Sequence, residues 1–188
     1  FEVIFMNQKV TKVRPSYPVG EAPNLCIPQL YNKYHRFLLG RLGKRPLVAI
    51  CMNPSAANEE YSDRTINRII GASQKLGYDG WIVANVYPER ATNASDLDEF
   101  NLELAAENVR LIINFLFENG INEVWGAWGN LGHTSLQQGK ELLLSSFKEN
   151  DIRVYSFAPL TKWGQPIHPL NRSVKQNFSL SNKIYIEF

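Results

Sequence analysis

Asn53, Asn85 and His168 are the side chains of this sequence best suited to chemistry, because each is polar and set among residues that restrict it. Asn53-Pro54-Ser55 directly follows an apolar run at residues 47–52. An Asn-Pro step turns the chain sharply, so the Asn53 carboxamide and the next backbone N–H groups stand at the end of a strand. An amide there can hold a water or read a polar ligand, or it can simply close an Asx turn. Asn85 lies inside a second apolar stretch. An unpaired amide in such a place costs about 1–3 kcal/mol, so it must be satisfied by neighbouring loops or by a ligand. It offers a donor and an acceptor side by side, which suits the edge of a nucleobase. His168 stands between Ile167 and Pro169, in a loop that also holds Pro159 and Pro166. Prolines fix it rigidly, as a catalytic histidine requires, although a lone histidine is also a common surface or capping residue. Trp128-Gly129, with Gly126 nearby, combines close backbone approach with rings that commonly pack on helices.

The surrounding periodicity predicts the elements that hold these residues. Residues 34–41 read as a short strand, with Gly40 and Gly43 for the turn. Residues 47–52 form a continuous apolar run, as in a strand covered on both faces. Asp63 is a suitable N-cap for a helix with Ile66, Ile69, Ile70 and Leu76 on one face and Gly77 at its end. Residues 81–87 read as a second buried strand, a helix begins near Leu102 and stops at Gly120, and residues 123–128 make a third strand. Thr134 is the expected cap of a helix running to about Asn150, residues 152–157 are a fourth strand, and residues 183–188 an edge strand. This alternation predicts an α/β fold, a three-layer α/β/α arrangement around a central, mostly parallel, four-stranded sheet. Ligands of such sheets bind beyond the carboxyl ends of the strands, where the four segments 53–62, 88–100, 129–134 and 158–172 lie. Pro15, Pro18, Pro23 and Pro28 predict an extended arm over residues 1–33. Residues 34–170 are the expected core and 171–188 a tail, all within one domain.

The 188 residues carry 20 Lys and Arg against 18 Asp and Glu, and 44% are hydrophobic, which excludes disordered and coiled-coil classes. The balanced charge means that any polyanion must be met by a local basic patch. Cys26 and Cys51 can form at most one disulfide, and the apolar setting of Cys51 favours a reduced thiol and a cytoplasmic protein. Two cysteines cannot supply a four-cysteine zinc or iron–sulfur site. His35, His133 and His168 are too scattered for a metal motif, so neither metal nor cofactor is expected. No run is long and apolar enough to span a bilayer, and the chain is expected to act as a monomer.

Met52-Asn53-Pro54-Ser55, Asp63-Arg64-Thr65, Asn85-Val86, Trp128-Gly129, Leu160-Thr161 and His168-Pro169-Leu170 together resemble the bacterial and phage family known as domain of unknown function 1643. More distantly, the same anchors resemble the uracil-DNA glycosylase superfamily. That resemblance implies hydrolysis of the N-glycosidic bond of uracil or a modified pyrimidine in DNA. It implies that Asn53 positions the attacking water, that Asn85 reads the base and that His168 faces its leaving oxygen. Tyr61 and Tyr87 are candidates to stack on a flipped base. Pro54, Asp63, Trp128 and Gly129 would line the pocket. Ser55, Arg64, Arg68, Arg90, Lys162, Arg172 and Lys175 would meet phosphates. Ser55 and Leu170 depart from the superfamily's usual motifs. A pocket that binds a nucleotide or nucleoside without chemistry, or a glycosidase of free nucleosides, are the competing readings.

Overall fold

The computed structural model describes residues 15–188. Residues 1–14, the outer part of the expected arm, lie outside the described residues. Seven strands, β1 (Leu25–Ile27), β2 (Leu38–Arg41), β3 (Pro46–Cys51), β4 (Gly80–Asn85), β5 (Glu123–Gly126), β6 (Arg153–Ser156) and β7 (Ile184–Ile186), form one mixed sheet in the order β1-β2-β4-β3-β5-β6-β7. The helices are α1 (Arg64–Leu76), α2 (Leu102–Glu118) and α3 (Thr134–Glu149).

The sheet is therefore wider than the four strands expected. The pairs β3–β4, β3–β5 and β5–β6 are parallel, whereas β1–β2, β2–β4 and β6–β7 are antiparallel. The extra strand β1 comes from the arm, between Pro23 and Pro28, and pairs Leu25 with Gly40. Three residues at a sheet edge leave too short an apolar pattern to read against four prolines. Gly40 lets β2 lie close to β4, because a Cβ there would come within 2.2 Å of the Trp81 carbonyl oxygen.

Alternation along β3 divides its side chains between two cores. Leu47, Ala49 and Cys51 join Trp81, Val83, Trp125 and Tyr155 under Ile66, Ile69 and Ile70 of α1. Val48 and Ile50 join Ile82, Ala84, Val124 and Val154 under Ile112, Leu116, Leu143 and Phe147 of α2 and α3. Helices thus cover both faces, which is why β3 and β4 are buried at every position.

Asp63 caps α1 as its residue type predicts, with Oδ1 accepting from Ile66 N–H at 2.9 Å, and Gly77 ends the helix at φ +73°. Asn101 caps α2 in the same way. The cap of α3 is His133 rather than Thr134: its Nδ1 accepts from Ser135 N–H at 3.2 Å, so an imidazole does the work of a hydroxyl one residue earlier. Both cysteines are free thiols. Among the described residues no helix is long and apolar enough to cross a membrane.

Candidate functional site

A cavity of about 120 Å3 lies at the carboxyl ends of β3 and β4, against the first turn of α1. It is the kind of place where open parallel sheets hold ligands. Asn53, Ser55, Asp63, Asn85 and His168 all line it, so residues spread over more than a hundred positions of sequence meet there. Each is held by a specific device.

Asn53 begins the turn after β3. Its Nδ2 donates to the carbonyls of Pro54 at 3.1 Å, Glu89 at 3.3 Å and Ala91 at 2.9 Å. These bonds spend the donor side of the amide and fix its plane. Oδ1 accepts no hydrogen bond from a described residue, so the group presents an acceptor. Ser55 lies one turn further, its Oγ 3.2 Å from Thr92 Oγ1, and Thr92 is a lining residue that the sequence did not single out.

Asn85 ends β4 and is 1% exposed. Its side chain shares a face with Val83 and Cys51, and its backbone carbonyl accepts from Asn108 Nδ2 at 2.8 Å. The satisfaction required of its amide comes in part from Arg36, whose guanidinium reaches Oδ1 at 3.5 Å. Nδ2 makes no hydrogen bond with a described residue.

His168 is placed by the loop after β6. Its Nδ1 accepts from Leu170 N–H at 3.2 Å, which puts the proton of a neutral ring on Nε2. Gln176 Nε2 donates to the His168 carbonyl at 3.1 Å and to that of Pro169 at 3.3 Å, pinning the loop from the tail. Gly129 packs directly against the Cβ and backbone of His168. It has φ +70°, and a Cβ there would lie 2.9 Å from His168 Cβ. Trp128 does not line the cavity; it is buried, and its Nε1 donates to Gln165 Oε1 at 2.8 Å, which anchors the same loop from below. Pro54 likewise contributes through its carbonyl, which accepts from Ala91 N–H at 2.9 Å.

Arg36 is a second lining residue that sequence reasoning missed. It is 2% exposed, donates to the Ala57 carbonyl at 3.0 Å, and leaves Nε without a partner. No carboxylate among the described residues lies within ion-pair distance of it. A charged residue two positions before the apolar strand β2 was the available signal, but only the fold turns it inward. Burial is the main reason that the Cys51 thiol, on the same cavity, is pushed up to about 12; Asp63 raises it further and Arg36 opposes this. Cys51 is thus a protonated wall residue, not a nucleophile.

The stacking candidates do not reach the cavity. Tyr87 points into the core beneath α2 and α3, where its hydroxyl accepts from Asn101 N–H at 3.0 Å and burial raises its phenol. Tyr61 is exposed on the loop before α1. Arg90 is no surface phosphate contact. It is 2% exposed and donates to the carbonyls of Asn32 at 2.9 Å, Ser55 at 2.7 Å and Ala57 at 2.9 Å. It ties the turn after β3 to the arm. Arg64, Arg68, Lys162, Arg172 and Lys175 are exposed. Arg68 lies over the Phe178 ring at 4.9 Å and Lys162 over Trp163 at 4.9 Å. Among the described residues no group of three or more His, Cys, Asp or Glu is placed to hold a metal ion.

The fold and site define an α/β protein with a small, amide-lined cavity at the carboxyl ends of its parallel strands. Residues 36–170 match the family described as "Protein of unknown function (DUF1643)", and the chain belongs to that family. No curated protein and no solved structure gives a significant match to it.

Proposed function

We propose that the cavity receives a pyrimidine base and that the protein hydrolyses the N-glycosidic bond of uracil or a modified pyrimidine in DNA, on a uracil-DNA glycosylase type of fold. The observation that carries this reading is the convergence of Asn53, Asn85 and His168 on one cavity of about 120 Å3. That volume suits one ring: a protein cavity of about 150 Å3 admits benzene.

The roles follow from the polar atoms each residue presents. Bond cleavage makes an oxocarbenium-like sugar and a base that leaves as an anion. His168 Nε2–H donates to the base oxygen on which that charge gathers; one fixed donor of this kind contributes about 3–4 kcal/mol. Asn53 Oδ1 accepts a hydrogen bond from the attacking water and orients it, and the proton that water loses on adding to the sugar goes to the departing base anion. An amide has no useful basicity, so Asn53 positions rather than deprotonates, and turnover is slow. Asn85 Nδ2 reads the pyrimidine edge. With both tyrosines outside, the ring is held between aliphatic walls, Met52 and Ile66 among them. A base within a duplex must leave the stack to enter, and exposed Arg64, Lys162 and Arg172 would hold the flanking phosphates.

One observation favours a second reading, in which a nucleoside or nucleotide binds without chemistry. The Asn53 amide nitrogen is spent on three backbone carbonyls, as in a structural turn. Oligonucleotides carrying uracil, mismatched thymine or modified pyrimidines separate the two when assayed for abasic sites. Base release is the expected result. Stabilisation by nucleosides with no base released would establish the binding reading. Release from free nucleosides alone would make the protein a nucleosidase.

A further inference from the structure

The guanidinium of Arg36 is the one cation of the cavity wall buried without a carboxylate partner among the described residues. Arg36 is 2% exposed, and among the described residues its guanidinium makes one bond to the Ala57 carbonyl and one long bond to Asn85 Oδ1. Nε has none. A buried guanidinium is ordinarily satisfied by a bidentate oxyanion. A second source of positive potential faces the same space. Thr65 and Ile66 of the first turn of α1 line the cavity. Asp63 caps only the Ile66 N–H through its side chain, while the N–H groups of Arg64 and Thr65 have no hydrogen bond with a described residue. Asp63 is the opposing charge: its carboxylate lines the cavity but forms no ion pair with Arg36.

We infer that Arg36 and the amino end of α1 form an oxyanion site, so that the group seated beside Asn85 carries a delocalised negative charge on oxygen. The shared chemistry is a carboxylate, a phosphate or the enolate-type oxygen of an anionic ring. This site occupies the cavity of the proposed reaction without depending on it. If base release occurs there, Arg36 is a further stabiliser of the leaving base. If it does not, the cavity still selects an anion.

The test uses the full chain and four probes: uracil, orotate (the same ring with a carboxylate), inorganic phosphate and acetate. Binding is followed by calorimetry and by the 15N-edited NMR signal of the Arg36 Nε–H group. Orotate or phosphate should bind at least tenfold more tightly than uracil at equal ionic strength, and should shift the Arg36 signal at saturation. Arg36→Gln should abolish the preference and Arg36→Lys should restore part of it. A response to orotate and acetate identifies a carboxylate source, and a response to phosphate alone identifies a phosphoryl source. Equal binding of charged and neutral probes, no binding of any anion, or an Arg36 signal unmoved at saturation overturns the inference. The NMR arm needs no variant, so it decides even if Arg36→Gln does not fold. Base release from DNA without anion binding would leave the proposed reaction standing and remove only the oxyanion site.

Discussion

The two ends of the parallel strands carry cavities of opposite character. At the amino ends, a cavity of about 360 Å3 is lined by Arg45, Tyr78, Glu123, Tyr155 and Lys183. Its acidic residue is fully engaged by neighbouring donors. Glu123 accepts from Lys183, from Arg153 at 3.2 Å and from the Tyr185 hydroxyl at 2.8 Å, and Lys183 also reaches the Tyr78 hydroxyl at 3.3 Å. At the carboxyl ends the cavity is about 120 Å3, yet an Arg36 nitrogen, the Asn53 acceptor and the Asn85 donor have no hydrogen-bond partner there among the described residues. Size and chemical readiness thus run in opposite directions. The larger space is walled by its own ion pairs, which tie β5, β6 and β7 together. The smaller one keeps polar groups in the geometry that a ligand would complete, and unmade hydrogen bonds in a buried place are costly to keep.

Substitutions at the two ends should therefore separate activity from stability. The largest effect is expected on base release: His168→Ala and Asn53→Ala should each lower the single-turnover rate of abasic-site formation tenfold or more. Glu123→Gln, at the opposite end, should leave that rate unchanged. Equal rates in all three proteins would erase the distinction between the ends.

Arg90 tests whether a rim residue can be purely architectural. Removing its three carbonyl contacts by Arg90→Met should cost about 3 kcal/mol in urea unfolding, since bonds to charged groups are worth about 1.5–3 kcal/mol each and partly re-form to water. A stable variant with weakened DNA binding would return Arg90 to the phosphate contacts. Gly129→Ala places a methyl against His168 at a positive φ. It should cost about 1–2 kcal/mol and lower base release several-fold through a displaced ring.

The smallest effect concerns the paired end. Burial alone would raise the Glu123 carboxyl, but hydrogen bonds from Lys183 and Tyr185 and the Lys183 and Arg153 charges bring it below the ordinary 4.5. A carboxyl with a lowered folded pKa adds stability above its unfolded pKa and loses it as pH falls through the folded value. Acid unfolding of the wild type should thus lose an increment below pH 4.5 that Glu123→Gln lacks, about 1 kcal/mol or less because the group is partly exposed. Identical acid limbs for the two proteins would show that the pairing at this end is weaker than its geometry suggests.

Much of this comparison was legible beforehand, for physical reasons that differ by element. The buried strands β3 and β4 announce themselves because both faces must be apolar, and α1 does so through its cap, its spacing and Gly77. Asn53, Asn85 and His168 were visible as polar groups where the local pattern called for none. The edge strand β1 was hidden because three residues at an edge need almost no pattern of their own. Tyr87 and Arg90 were misjudged for a related reason. Sequence places Tyr87 at the end of a strand and Arg90 in the loop beyond it, but it cannot say which way a side chain turns there. Tyr87 turns under α2 and α3, and Arg90 turns inward to three carbonyls.

The sequence by itself determined the alternation of strands and helices, the Asp63 cap of α1 and the residues with chemistry to offer, because these rest on local sterics and on period-2 and period-3.6 burial. Only the tertiary structure decided that a chain of nearly balanced charge buries Arg36 beside Asn85 with no carboxylate partner among the described residues. That outcome depends on the approach of β2 to β4 and of α1 to the strand ends, contacts across 49 residues that no local pattern encodes.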